Sequence, residues 1–149
     1  MGCSLKYHLS NGEFEMTTAS SNNSFVKDGM LYILPTLTSD VIGSAAVFNG
    51  ATYNLTDCTG ANYTVCSAVS NTSTGAVIPP VMSARLSTRN STALRFGRVE
   101  VRAKLPRGDW LWPSLRMLPV DNVYGDGIMS GEIDVSTLIP TFANDTYPH

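Results

Sequence analysis

The sequence predicts an all-β fold, and three observations carry that prediction. The first is strict two-residue alternation from Arg98 to Leu105. Val99, Val101, Ala103 and Leu105 fall on one face, and Arg98, Glu100, Arg102 and Lys104 on the other. This is the pattern of a half-buried antiparallel strand. The second is Lys27-Asp28-Gly29 between two short β-forming runs, because Asp-Gly is a preferred hairpin turn. The third is the lack of a convincing amphipathic helix, or of an internal repeat, anywhere in the 149 residues.

In chain order, Phe25-Val26 and Met30–Leu34 are the two arms of the hairpin. Residues 36–80 read mostly as loop, rich in Gly, Asn, Thr and Ser and closed by Pro79-Pro80. A connection of about 45 residues is unusual and points to a functional or glycosylated surface loop. Val81–Thr88 is the next strand, and Ser91-Thr92 leads into another. Pro106-Arg107-Gly108-Asp109 is the turn after Arg98–Leu105, and further strands are expected near Leu111–Leu118 and Gly131–Val135. Many short strands with turn-rich connections argue for a β-sandwich or barrel.

The bulk numbers narrow the function. At 43% hydrophobic and 15% charged, with formal net charge −2, the chain suits a single domain with a sizeable core. Nucleic acid is not an expected partner, because the basic residues from Arg95 to Arg107 alternate with apolar ones as a strand face would. No apolar run approaches the roughly 18 residues of a membrane span. No metal and no cofactor are expected.

The polar residues indicate the compartment. Asn-x-Ser/Thr sequons occur at Asn22, Asn54, Asn62, Asn71, Asn90 and Asn144. With ten Asn, and Ser plus Thr near a fifth of the chain, chance supplies roughly two. The excess favours a secreted glycoprotein. Cys58 and Cys66 are close enough to close a small disulfide loop, while Cys3 has no obvious mate. Met1–Ser10 lacks the roughly 7–15-residue apolar stretch of a signal peptide, so the expectation is that the true beginning is missing.

Glu132-Ile133-Asp134 is the triplet that carries chemistry. In a strand, i and i+2 share a face, so both carboxylates point one way and Ile133 the other. Two such acids repel unless another partner intervenes. Glycosidic cleavage uses a carboxylate pair, one to attack or stabilise the sugar and one to protonate the leaving oxygen. Taken alone the pattern is common on solvated strands. Upstream, however, Trp110 and Trp112 share a strand face and Tyr124 follows, and aromatic faces stack on the C–H-rich faces of pyranose rings. Trp112, followed by Pro113, serves equally well as a core residue.

Several runs together resemble the family 16 glycoside hydrolases, secreted fungal endo-β-1,3(4)-glucanases above all. These are Asn11-Gly12-Glu13-Phe14-Glu15-Met16, Asp28–Ile33, Pro35–Asp40, Gly97–Pro106, Gly108–Pro113, Met117-Leu118-Pro119 and Ser130–Asp134. The resemblance implies a jelly-roll β-sandwich of the concanavalin A-like type, with a β-glucan cleft on its concave sheet, and a monomer. It implies hydrolysis of β-1,3 or mixed β-1,3/1,4-glucan with retention. Glu132 matches the nucleophile and Asp134 its electrostatic helper; Asn11, Trp110, Trp112 and Tyr124 are the candidate sugar contacts.

The departures from the family pattern cluster around the same motif. The general acid/base position falls on Thr137, and a Thr hydroxyl cannot protonate a leaving group at useful pH. Arg116 stands where the pattern has Trp, and Gly127-Ile128 where it has Trp-Pro. Similarity ends after Asp134. Residues 1–134 are therefore expected to be the front part of the family domain, and 135–149 an unrelated tail, as a retained intron would give. Three functions follow: a retaining glucanase, a non-catalytic β-glucan-binding module, or a truncated product whose unpaired strand edges prevent stable folding.

Overall fold

The computed structural model describes residues 14–56, 58, 66–89, 91–106, 108, 111–125 and 127–137. It divides into two compact units, Met1–Thr88 and Arg89–His149.

In the first unit the strands are β1 (Glu15–Thr17), β2 (Ser24–Lys27), β3 (Met30–Ile33) and β4 (Thr36–Leu37). Two short helices follow, α1 (Ser39–Ile42) and α2 (Ser44–Phe48), and then β5 (Thr52–Asn54), β6 (Ser67–Val69) and β7 (Val81–Ser83). The β2–β3 hairpin pairs Phe25 with Tyr32 and Lys27 with Met30. Its turn residues Asp28 and Gly29 both have positive φ, 51° and 73°. That is the conformation a two-residue turn of this hand needs, and Gly29 adopts it at no steric cost. The rings of Phe25 and Tyr32 stack across the strands, 5.0 Å between centroids.

The core forms where β7 lies between β1, in parallel, and β4, antiparallel. Met16 of β1 and Met82 of β7 stand opposite each other and are buried with Ala68 and Ile78; Ile42, Ala51, Tyr53 and Leu55 pack around them. Three buried polar residues close the polar accounts of this small core. Asn23 Nδ2 donates to the carbonyls of Leu34 (2.9 Å) and Met82 (3.2 Å) and to Thr36 Oγ1 (2.9 Å). Its Oδ1 accepts from Thr18 Oγ1 at 2.8 Å. Asn23 thereby ties β7 to the chain entering and leaving the hairpin. Thr38, at the start of α1, donates from its backbone N to Pro80 O (2.8 Å) and from its hydroxyl to Pro79 O (2.6 Å). Ser70 Oγ donates to Ala46 O (2.7 Å) and accepts from Ala51 N (3.0 Å). Buried polar groups satisfied in this way cost little, whereas orphaned ones cost a full desolvation penalty.

The second unit holds β8 (Ser114–Met117), a 3-10 turn at Gly127–Ser130 and β9 (Ile133–Thr137), with β8 and β9 antiparallel. The described elements are thus mostly strands with a few short helices, which supports the all-β class.

Three sequence expectations need correction. Residues 36–80 hold two helices and three strands as well as loop. Helices of four and five residues span little more than one turn, too short to display an amphipathic period. The strand expected over Val81–Thr88 stops at Ser83, and no strand follows Ser91-Thr92. Arg98–Leu105, the clearest alternation in the sequence, forms no strand, and Val99, Val101 and Leu105 are exposed. The chain there still places Arg98 and Glu100 on one side, where they form an exposed ion pair. Alternation states which face is apolar; a strand also needs a neighbour for its backbone groups, and none pairs with it among the described residues.

Candidate functional site

The candidate acids lie where β9 runs back along β8. Met117 stands opposite Ile133 and Arg116 opposite Asp134, but Leu115 stands opposite Ser136. Val135 is therefore an extra residue in β9, and the register shifts between Leu115 and Arg116. Such bulges bend a strand and re-aim its side chains. Here the bulge has a consequence for spacing. Thr137 pairs with Ser114 and Asp134 with Arg116, two positions of like parity on β8. Positions 134 and 137, three apart, so come to equal parity, which an unbulged strand would deny them.

Glu132 just precedes β9, after Gly131, whose φ is 98°. A side chain at position 131 would be strained in that conformation, so glycine sets the direction in which the chain enters the strand. The Gly131 amide donates to Ile128 O at 3.0 Å, anchoring the entry to the preceding turn.

Arg116 is the partner of Glu132. Its Nη1 lies 3.1 Å from Oε2 and 3.4 Å from Oε1 of the carboxylate, with side-chain exposures of 38% for Arg116 and 19% for Glu132. A diagonal neighbour across two antiparallel strands is within reach of a long side chain. The guanidinium reaches Glu132 on the diagonal, while Asp134 stands opposite Arg116 in register and forms no ion pair among the described residues. Sequence reading marked Arg116 only as a departure from Trp. Its role depends on the β8–β9 register, for which the sequence carried no signal.

The candidate sugar contacts fare unequally. Trp112 is 67% exposed, which rules out the core role left open by its sequence context, and Tyr124 is 78% exposed. Tyr124 is held from behind. The Ser130 hydroxyl donates to Gly125 O (2.6 Å) and accepts from the Tyr124 amide (3.0 Å), closing the 124–130 segment on itself. Ser130 was expected only as part of a motif; its clamp on Tyr124 is a contribution the sequence did not suggest. Trp110 and Asn11 lie outside the described residues, and nothing is described of the side chain of Thr137.

In the first unit, Cys58 and Cys66 are joined in a disulfide with Cα atoms 5.6 Å apart. It extends the β5–β6 pairing beyond the Leu55 N to Cys66 O hydrogen bond (2.9 Å). Asn22, Asn54 and Asn71 are exposed; Asn62, Asn90 and Asn144 lie outside the described residues. Among the described residues no group of His, Cys, Asp and Glu could hold a metal ion, and no helix is long and apolar enough to cross a membrane.

Comparison with known proteins gives the sequences to which the chain is similar. The chain is 44% identical over 132 residues to a β-1,3-glucan-binding protein of Penaeus monodon, a match covering 84% of this chain and 35% of that protein. It is 37% identical over 125 residues to a β-1,3-glucan-binding protein of Tenebrio molitor, covering 83% and 26%.

Most of the relatives found are named for β-1,3-glucan, and two from Drosophila melanogaster are named Gram-negative bacteria-binding proteins.

A third is glucan endo-1,3-beta-glucosidase A1 of Niallia circulans, 55% identical over 53 residues, 36% of this chain and 8% of that protein. The chain spans about a third or less of the length of these curated relatives. No family model and no solved structure matches it. The resemblance to glucanase-like proteins therefore holds at that level. Its fungal placement gains no support, since these β-1,3-glucan proteins come from a shrimp, an insect and a bacterium.

Proposed function

We propose that this chain is part of an extracellular protein that recognises β-1,3-glucan without cleaving it. The observation that carries this reading is the Arg116–Glu132 ion pair. A retaining nucleophile must direct a carboxylate lone pair at the anomeric carbon, with a proton donor about 5–5.5 Å away. Arg116 Nη1 takes part of the acceptor capacity of Glu132 and draws its charge away from a substrate, and Thr137, at the position matching the proton donor, cannot supply the proton. The same groups suit binding. Trp112 and Tyr124 offer exposed apolar rings to sugar faces, and the Arg116–Glu132 pair offers donors and acceptors to hydroxyls. The glucan-binding relatives favour the same conclusion. A jelly-roll domain completed by further strands, and secretion through an oxidising compartment where the Cys58–Cys66 bridge persists, belong to this proposal.

The second reading, retaining hydrolysis, draws on the retained Glu132 and Asp134 and on the 53-residue match to a glucan endo-1,3-beta-glucosidase. Co-sedimentation with insoluble β-1,3-glucan tests the first. The chain is expected in the pellet and to be displaced by soluble laminarin. A chain that stays in the supernatant at every glucan load contradicts glucan recognition.

A further inference from the structure

We infer that Asn71 is the principal site of N-glycosylation among the described residues, an inference that does not depend on whether the glucan site binds or cleaves. Sequence alone leaves the six sequons equivalent; the structure separates those it describes. Asn71-Thr72-Ser73 lies wholly within an exposed turn, Asn71 to Ala76, closed by the bridge between those two residues and by Asn71 N donating to Ala76 O at 2.8 Å. The Ser73 amide donates to Asn71 Oδ1 at 2.9 Å. This local Asx turn polarises the side-chain amide. Nδ2, the atom that is modified, meets no hydrogen-bond acceptor among the described residues.

The other two described sequons are committed to the fold. Ser24, the hydroxyl residue of the Asn22 sequon, is half-buried in the β2–β3 ladder, and its amide donates to Ser20 O at 3.1 Å. Asn23, between them, is buried and bonded to Met82, 59 residues away. Asn54 ends β5 opposite Ser67, four residues from the disulfide at Cys58. Only the Asn71 turn takes all its bonds from within five residues. It forms locally and stays exposed in the folded chain, so the site is presented whether modification precedes or follows folding.

In the reaction, Nδ2 bonds to the anomeric carbon of a polyprenyl-pyrophosphate-linked oligosaccharide. The carbon–oxygen bond to pyrophosphate breaks, the lipid pyrophosphate leaves with that electron pair, and one amide proton passes to a base of the transferase.

The test is peptide mapping of the full chain secreted from insect cells behind a cleavable leader, before and after enzymatic glycan release. The Asn71 peptide is expected to show higher occupancy than the Asn22 and Asn54 peptides. Ser73→Ala keeps the backbone donor of the turn and removes the sequon hydroxyl, so it should abolish that glycan, while Ser73→Thr should retain it. A bare Asn71 peptide, or Asn71 occupancy below that of Asn22 or Asn54, overturns the inference.

Discussion

Arg116 Nη1 sits 3.1 Å from Glu132 Oε2, so the Glu132 carboxylate is engaged by a guanidinium from the neighbouring strand. An ion pair this exposed contributes on the order of 1 kcal/mol or less to stability. Its importance is chemical, since it orients Glu132 and offsets the charge of that carboxylate. Supplying only the missing acid should therefore not create a hydrolase. Thr137→Glu is expected to leave reducing-sugar release from laminarin at background; release from that variant would show that Arg116 does not silence Glu132.

The Ser130 hydroxyl holds the backbone on both sides of the turn that presents Tyr124. Ser130→Ala removes both hydrogen bonds at a half-buried site, where the loss of stability should be about 1 kcal/mol. Affinity for laminarin, read from fluorescence titration, should fall several-fold while the melting temperature barely moves. Unchanged affinity would remove Tyr124 from the proposed binding surface.

Asn23 illustrates how much of the first unit rests on one buried amide. Asn23→Leu removes the amide that donates to the carbonyls of Leu34 and Met82 and to Thr36 Oγ1. Losing these three hydrogen bonds of a buried side chain should cost about 3 kcal/mol. Denaturant titration checks it, and a loss below about 1 kcal/mol would mean that water replaces the amide.

The disulfide closes a short loop, with its cysteines eight residues apart in sequence. Loop-closure entropy gives such a link about 2.5 kcal/mol of stabilisation. The double change Cys58→Ser, Cys66→Ser should lower the stability of the first unit by about that amount and leave glucan binding by the second unchanged.

The parts of the fold legible in the sequence were those fixed by local chemistry. Asp28-Gly29 specified a turn that needs only its own two residues, and Met30–Ile33 followed from it. The alternation of Arg98–Leu105 was read correctly as a pattern, but strand formation depends on a partner that no local pattern contains. Asn23 carries no signal in the sequence beyond its place in the Asn22 sequon, and its buried hydrogen bond reaches Met82, far along the chain. In the site, the spacing of Glu132 and Asp134 marked them as a pair. The bulge at Val135 and the reach of Arg116 across two strands emerged only with the register.

The central claim, glucan recognition without cleavage, is tested most directly by following reducing ends in the same sample in which the chain is bound to insoluble β-1,3-glucan. The reference is Glu132→Gln, which removes the charge of that carboxylate. The account predicts a chain retained on the glucan and no release of reducing ends above that reference over a prolonged incubation. Release that is present in the unmodified chain and absent in Glu132→Gln would contradict it.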